Sequence, residues 1–166
     1  QQGPLSQNSA MISFAAEGAT NAIQELYVVN NTMVNDLGRG RFVTVAGTPA
    51  VSQLTNNVFW GGGTVLAGTG TLANNLEATD PMLVDPARFD YRLRPGSPAV
   101  DAGIDPGTGS GYDLTPVFEY ADPASAVARV TSGAAIDIGA HELSLGISLH
   151  RGVVAATGPG WQAGVL

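Results

Sequence analysis

The stretch VVNNTM at residues 28–33 sets a pair of asparagines between short apolar runs, and this pattern is the strongest indication of the fold. It recurs as LTNNVF at residues 54–59 and as LANNL at residues 72–76. The asparagine pairs lie 26 and then 18 residues apart. Repeats of about 20 residues that each carry short strands and a fixed turn residue are typical of solenoids. The spacing therefore predicts a chain that winds through stacked coils.

The asparagine pairs have a physical reason to mark one corner of each coil. Asparagine adopts the left-handed backbone conformation more readily than most residues other than glycine, which lets one strand bend sharply into the next. Coils stacked at about 4.8 Å bring equivalent amides close enough to hydrogen-bond along the axis. We therefore predict a structural turn ladder formed by Asn30, Asn31, Asn56, Asn57, Asn74 and Asn75.

Short runs rich in β-branched and aromatic residues separate these corners, and no stretch sustains the apolar period of a helix. The predicted strands are residues 11–15, 26–29, 41–45, 51–54 and 58–60. A faint further copy of the asparagine pattern lies at residues 6–11. The sequence thus predicts an all-β solenoid of about three to four coils over residues 1–79.

Charge and composition narrow the classes of partner. The chain has 166 residues, with 14 acidic side chains against 7 basic ones, and its formal net charge is −7. Nucleic-acid binding normally needs a basic face that displaces counterions, so DNA and RNA are not expected partners. No apolar run reaches the roughly 18 residues of a membrane span. The start QQGP has neither an initiator methionine nor a basic region, which favours a processed product or a fragment.

The composition changes after residue 79, where prolines become frequent and the paired asparagines stop. Three motifs follow, DPMLVDP at residues 80–86, DYRLRPGSPAVDAG at residues 90–103 and AIDIGAHE at residues 135–142. We predict an irregular C-terminal capping segment over residues 80–142. Residues 143–166 begin with LSLGISLH, whose strict alternation predicts a half-buried strand in a C-terminal tail.

The three motifs resemble the end of many bacterial right-handed parallel β-helix proteins. There, a last coil is followed by a proline-rich segment and a closing DIGAyE motif, which has an aromatic residue where this chain has His141. Over residues 10–142 the chain looks like the C-terminal part of a pectin-lyase-like exoprotein of the choice-of-anchor Q type. The resemblance implies a right-handed parallel β-helix in a protein that is secreted or held at the bacterial cell surface.

Polysaccharide lyases of this fold use a strong base, commonly lysine or arginine, near a carboxylate-bound Ca²⁺. The chain has no lysine, and the nearest approach to such a set is Asp36 with Arg39 and Arg41, which are equally consistent with a solvated loop. A glycosidase needs clustered carboxylates from adjacent coils, and the repeats carry none at corresponding positions. We therefore predict no catalytic residue in this chain.

A glycine-rich loop places Asp101, Asp105 and Asp113 close together in sequence. Oxygen-rich turns of this kind can hold Ca²⁺, and these three are the candidate metal ligands. The alternative is that the aspartates cap turns through bonds from their side chains to the backbone.

Aromatic residues near the second asparagine pair are candidates for stacking on sugar rings. Trp60 and Phe59 are the main ones, and Phe42 and Tyr27 could extend such a platform. The alternative is that all four rings pack inside the solenoid, because aromatic side chains dominate buried area in small folds.

Two classes of function follow from these features. In the first, the chain is a non-catalytic structural module that caps or propagates a β-helix. Its exposed ends and tail strand would then offer contacts for other copies of itself. In the second, it is the C-terminal fragment of a polysaccharide lyase or hydrolase, or of a carbohydrate-binding exoprotein, with the active site upstream of Gln1.

Overall fold

The computed structural model describes Leu5 and residues 7–143. These residues form an all-β structure without an α-helix, in which parallel sheets of stacked strands make up the larger part. The architecture is consistent with a β-helix-like solenoid. The predicted tail strand at residues 143–166 lies, apart from Leu143, outside the described residues.

The first nine strands form three parallel sheets of three strands each, here called the stack. In chain order they are β1 (Ala10–Phe14), β2 (Glu25–Val29), β3 (Thr32–Asn35), β4 (Arg41–Val45), β5 (Val51–Thr55), β6 (Val58–Gly61), β7 (Thr64–Ala67), β8 (Thr71–Ala73) and β9 (Leu76–Glu77). Each strand pairs with the strand three places further along the chain, giving the sheets β1-β4-β7, β2-β5-β8 and β3-β6-β9. We call three consecutive strands, one from each sheet, a rung.

The register places like residues above one another in columns. Val28 pairs with Leu54, and Leu54 pairs with Leu72 in the next rung. Because side chains alternate between the two faces of a strand, pairs such as Val43 and Val45 point to the same side, towards the interior of the stack. The interior is a continuous apolar cluster of Val28, Met33, Phe42, Val43, Val45, Leu54 and Phe59.

The capping segment is built differently, from short antiparallel hairpins. Its strands are β10 (Leu83–Asp85), β11 (Asp90–Leu93), β12 (Thr108–Gly109), β13 (Tyr112–Asp113), β14 (Phe118–Ala121) and β15 (Ser125–Ala128), which pair as β10-β11, β12-β13 and β14-β15. A single 3₁₀ turn at Pro86–Arg88 connects β10 to β11.

The capping segment packs along the side of the stack. A second apolar cluster joins Val34 and Val58, on the outer face of the β3-β6-β9 sheet, to Leu83, Leu93, Ala99 and Ile138 of the segment. Leu72 in the last rung is 48% exposed, whereas Leu54 above it in the same column is fully buried. The contacts that attach the segment are therefore made to the outer wall, and the end of that column stays open to solvent.

The five predicted strands correspond to β1, β2, β4, β5 and β6, with ends that differ by one residue or less. Four strands of the stack were not predicted: β3, β7, β8 and β9. The last three occupy the shortest rung, where loops of three or two residues separate strands of two to four residues. Such short strands carry too little alternation to be recognised from sequence alone.

Candidate functional site

The corner between the second and third sheets is formed by the six predicted asparagines. The first residue of each pair has a left-handed backbone, with φ of 50° at Asn30, 55° at Asn56 and 53° at Asn74. Asn56 Nδ2 donates to Asn30 Oδ1 at 3.3 Å, and Asn74 Nδ2 donates to Asn56 Oδ1 at 3.0 Å. These three residues thus form an outer column of amides that bond along the axis.

The second residue of each pair forms an inner column with bonds in the opposite direction. The backbone N–H of Asn31 donates to Asn57 Oδ1, and that of Asn57 donates to Asn75 Oδ1, both at 2.9 Å. Asn57 Nδ2 also donates to the Val28 carbonyl at 2.8 Å. Asn56 and Asn57 have no exposed surface. Their amides therefore satisfy polar groups that would otherwise be buried without partners.

The capping segment attaches at this same corner. The outer asparagines Asn30, Asn56 and Asn74 donate from Nδ2 to the carbonyls of Asp137, Ile104 and Ala102, at 2.8, 2.6 and 2.7 Å. Ile104 N–H returns a bond to Asn56 Oδ1 at 3.1 Å. The corner thus does two things, holding successive rungs in register and anchoring the capping segment. The second role was missed from the sequence, because a turn pattern does not show what will lie against it.

Two positions in the capping motifs, Gly103 and Gly139, require glycine because other parts of the chain approach their backbone closely. A Cβ on Gly139, whose φ is +98°, would lie 2.7 Å from Thr32 Oγ1. A Cβ on Gly103 would lie 2.3 Å from the Ile136 carbonyl oxygen. Both approaches are too close for any side chain, so these positions require glycine for packing. These two glycines are therefore explained by packing and do not indicate a catalytic or binding site.

The two main aromatic candidates are placed differently by the structure. Phe59 is 2% exposed and meets Phe42 edge to face, with ring centroids 5.2 Å apart, so neither ring offers a face to a sugar. Trp60 is partly buried and packs against the cluster under the capping segment. Sugar stacking and burial were both open for these rings from the sequence, and Phe59 and Phe42 are buried in the interior.

The three candidate metal ligands each bond to nearby backbone. Asp101 Oδ1 accepts from Ala134 N–H at 2.8 Å, and Asp105 Oδ1 accepts from Gly107 N–H at 2.8 Å. Asp113 Oδ1 accepts from the Thr115 N–H, a bond that lowers the pKa of the Asp113 carboxyl. Within residues 7–143, no group of three or more histidine, aspartate or glutamate side chains is placed to hold a metal ion. Asp105 and Asp113 thus cap their own turns, whereas Asp101 ties two distant parts of the capping segment together.

A buried polar cluster beneath the closing motif was not predicted. The Arg129 and Glu142 side chains are 1% and 4% exposed and approach to 2.7 Å. Arg129 also donates to the carbonyls of Gly139 and Asp137, each at 3.0 Å. Asp137 accepts from the N–H groups of Asp101 and Leu143, while burial raises the pKa of its carboxyl above the usual value.

His141 lies at the edge of this cluster, with Nδ1 3.6 Å from Glu119 Oε2. Burial lowers the pKa of His141, against the opposing effect of the Glu119 carboxylate. The imidazole is therefore neutral at neutral pH, and 3.6 Å is too long for a hydrogen bond. No serine or threonine hydroxyl among the described residues bonds to His141, so the cluster has no nucleophile paired with a base.

The remaining candidates do not assemble a reactive centre either. Asp36, Arg39 and Arg41 are exposed on and beside the loop between β3 and β4. A groove of about 280 Å³ is lined by residues 49–52 and 69–71, none of which is titratable. None of the described residues forms a helix with the length and apolarity that a membrane crossing requires.

The fold and the corner together define an all-β protein built of stacked parallel sheets with a hydrogen-bonded asparagine ladder. Comparison with known proteins found no matching family model, no matching curated protein and no matching solved structure.

Proposed function

We propose that the chain is a right-handed parallel β-helix of three coils with an irregular C-terminal cap, and that it acts as a non-catalytic structural module. In this role it closes or extends the β-helix of a protein that is secreted or displayed at a bacterial cell surface. The pectin-lyase-like resemblance of residues 10–142 belongs to the same proposal, and the motifs within residues 80–142 support it.

One observation supports the structural role above others: the candidate polar side chains that the structure describes, buried and exposed, are mostly bonded to the backbone or to one another. The asparagine corner bonds rung to rung, and the Arg129–Glu142 pair holds the closing motif. Asp105 and Asp113 bond to their own turns, and Asp101 bonds to the backbone just before the closing motif. Catalytic groups need a free reactive atom aimed into a cleft, with a perturbed pKa that suits the reaction.

The experiment is an activity assay on the purified 166-residue chain. It is incubated with polyuronates and with neutral polysaccharides, and turnover is followed by the absorbance of unsaturated products and by the release of reducing ends. We expect no turnover above a buffer control. Turnover that persists in independently purified preparations would contradict the structural role and favour a lyase or hydrolase.

A second candidate, carbohydrate binding without turnover, is favoured by one feature of the capping segment. Phe118 and Tyr120 are 64% and 56% exposed and lie on the same face of β14, opposite Ala128 and Ala126. Small residues opposite two rings leave the ring faces bare for stacking. Calorimetric titration with soluble glycans tests it, with the double variant Phe118→Ala, Tyr120→Ala expected to lose any binding that is found.

A further inference from the structure

The asparagine ladder has a direction, and that direction gives the two ends of the stack different chemistry. In the inner column each backbone N–H donates to Oδ1 of the asparagine in the following rung. In the outer column each Nδ2 donates to Oδ1 of the asparagine in the preceding rung. Every bond between two rungs therefore joins a donor on one side to an acceptor on the other.

At the last rung this pattern stops. Among residues 7–143, no acceptor meets the Asn75 N–H and no donor meets Asn74 Oδ1. At the first rung the complementary groups remain. Asn31 Oδ1 accepts no bond from the described part of the chain, and Asn30 Nδ2 uses one of its two hydrogens on the Asp137 carbonyl. The first rung thus presents the partners that the last rung lacks.

The last rung also exposes apolar surface and the edges of its strands. Leu72 ends the column of Val28 and Leu54 and is 48% exposed. Strands β7, β8 and β9 each pair on one side only within the described residues. An exposed strand edge beside an exposed apolar side chain is a template for another parallel strand.

We infer that the last rung docks the first rung of a second copy of this chain, so that the ladder and the three sheets continue from one copy into the next. This inference rests on the proposed structural function. The two surfaces differ from each other, so the contact is heterologous and adds copies in an open series. Asn75 of one copy donates to Asn31 of the next, and Asn30 of the next donates back to Asn74.

Glu77 limits this contact. It pairs with Phe59, and Phe59 pairs with Met33, so a glutamate occupies the end position of an apolar interior column. Docking of a second copy would place its Met33 over this carboxylate and remove it from water, which costs free energy. Inward-pointing charges at open strand edges are a known way to restrain association. The chain therefore associates weakly, and neutralising Glu77 strengthens the contact.

Sedimentation velocity over a wide range of protein concentrations tests whether the last rung of one copy binds the first rung of another. We expect Glu77→Leu to associate at concentrations roughly tenfold or more below those needed by the wild-type chain, because a carboxylate no longer has to be desolvated. Leu72→Lys should keep the chain monomeric. Val130→Lys is the matched control, since Val130 is 70% exposed and lies in the capping segment, and its sedimentation should equal that of the wild type. Circular dichroism spectra of all variants check that each one folds.

Disulfide trapping tests the register, because the chain has no cysteine of its own. Val29, Thr55 and Ala73 stack in one column. Within one copy, residues 29 and 73 lie two strand spacings apart, about 9.6 Å, beyond the Cα distance of about 7 Å that a disulfide can span. Across the docked ends they lie one spacing apart, about 4.8 Å. Oxidation of the double variant Val29→Cys, Ala73→Cys should give a ladder of covalent oligomers.

Mixing the two single variants is the control, since Val29→Cys with Ala73→Cys can yield only cross-linked dimers. A Glu77→Leu chain that stays monomeric at every concentration, or a double-cysteine chain that forms no oligomers on oxidation, would overturn the docking. Either result would leave the structural-module proposal standing. Turnover of a polysaccharide by the monomeric chain would defeat that proposal, whereas the sedimentation and disulfide results report on the docking itself.

Discussion

The stack and the capping segment are held by different kinds of contact. In the stack, each strand pairs with the strand one rung away, and the interior columns repeat similar apolar residues. In the capping segment, two-stranded hairpins and loops are attached by one apolar cluster and by single bonds to distant residues, such as that from Ala140 N–H to Thr32 Oγ1. Two-stranded hairpins are marginally stable by themselves. The stack gains stability by repetition, whereas the capping segment depends on a few individual residues.

This difference predicts where single substitutions do most damage. A column residue has equivalent residues in the neighbouring rungs that make the same kind of contact. Its substitution therefore removes only a small part of the contacts that hold the stack together. A residue that anchors the capping segment has no equivalent. We therefore expect the largest effect in the capping segment, a smaller one at the asparagine corner, and the smallest at the rim of the polar cluster.

Arg129→Met should lower the free energy of unfolding by about 3–5 kcal/mol, because it leaves the Glu142 carboxylate buried without its partner. It also leaves the carbonyls of Gly139 and Asp137 without a donor. Urea denaturation followed by circular dichroism measures the change. Limited proteolysis should show cleavage within residues 80–142 before cleavage of the stack.

Arg92→Met is the matched control for this prediction. Arg92 forms an ion pair with Asp90 at 2.6 Å, but its side chain is 67% exposed, so we expect a loss of at most about 1 kcal/mol. Equal losses for the two arginine variants would show that burial of the pair is not what attaches the capping segment.

At the corner, Asn56→Ala should cost about 3 kcal/mol, since it places alanine at a φ of 55° and leaves the Ile104 N–H and carbonyl without partners. Asn74→Ala carries the same backbone strain, with a φ of 53°, but Asn74 is exposed. Its loss should be about 1 kcal/mol, because its bond to the Ala102 carbonyl is exposed and water can replace it, so that the strain remains the main cost. The difference between the two variants, measured by urea denaturation, isolates the buried hydrogen bonds.

Glycine substitutions at residues 56 and 74 separate backbone strain from the loss of hydrogen bonds, because glycine adopts the left-handed conformation without strain. Asn74→Gly should be close to neutral, while Asn56→Gly should retain most of its loss. If Asn56→Gly were as stable as the unchanged chain, the side-chain hydrogen bonds of Asn56 would contribute nothing to the free energy of unfolding. Its contribution would then come from its backbone conformation alone.

The stack could be predicted from the sequence because its information is local and repeated. Asn30, Asn56 and Asn74 mark one corner three times, and the φ values at these positions are those that a sharp turn requires. The short strands of the last rung were missed, because strands of two to four residues give no periodic signal.

The capping segment was predicted as a composition change and a set of motifs, but its contacts were not. Nothing in the sequence near Arg129 indicates that it will meet Glu142 in the closing motif, because the choice depends on how the hairpin β14-β15 packs. The aromatic pattern was ambiguous for a similar reason. Alternation shows that Phe59 and Trp60 face opposite ways, but not which side is the interior.

The smallest expected effect concerns His141 and the pH dependence of stability. Burial holds the pKa of His141 in the folded chain below its usual value of 6.5. Between that lowered pKa and 6.5, the unfolded chain binds more protons than the folded chain, so the free energy of unfolding falls as the pH falls. His141→Phe removes this contribution. The difference in stability between the variant and the unchanged chain should therefore shift in favour of the variant as the pH drops below about 6.5.

Asp137 has the opposite sign, because a raised carboxyl pKa makes the folded chain bind more protons above the usual range of aspartate. Both chains retain Asp137, so its contribution cancels in the comparison and the residual slope belongs to His141. Glu119→Gln extends the test, since it removes the carboxylate that opposes the effect of burial and should lower the pKa of His141 further in an NMR titration. A stability difference between His141→Phe and the unchanged chain that does not vary from pH 7 to pH 5 would mean that the imidazole is solvated in the folded chain. The Arg129–Glu142 pair would then anchor the closing motif without a contribution from His141.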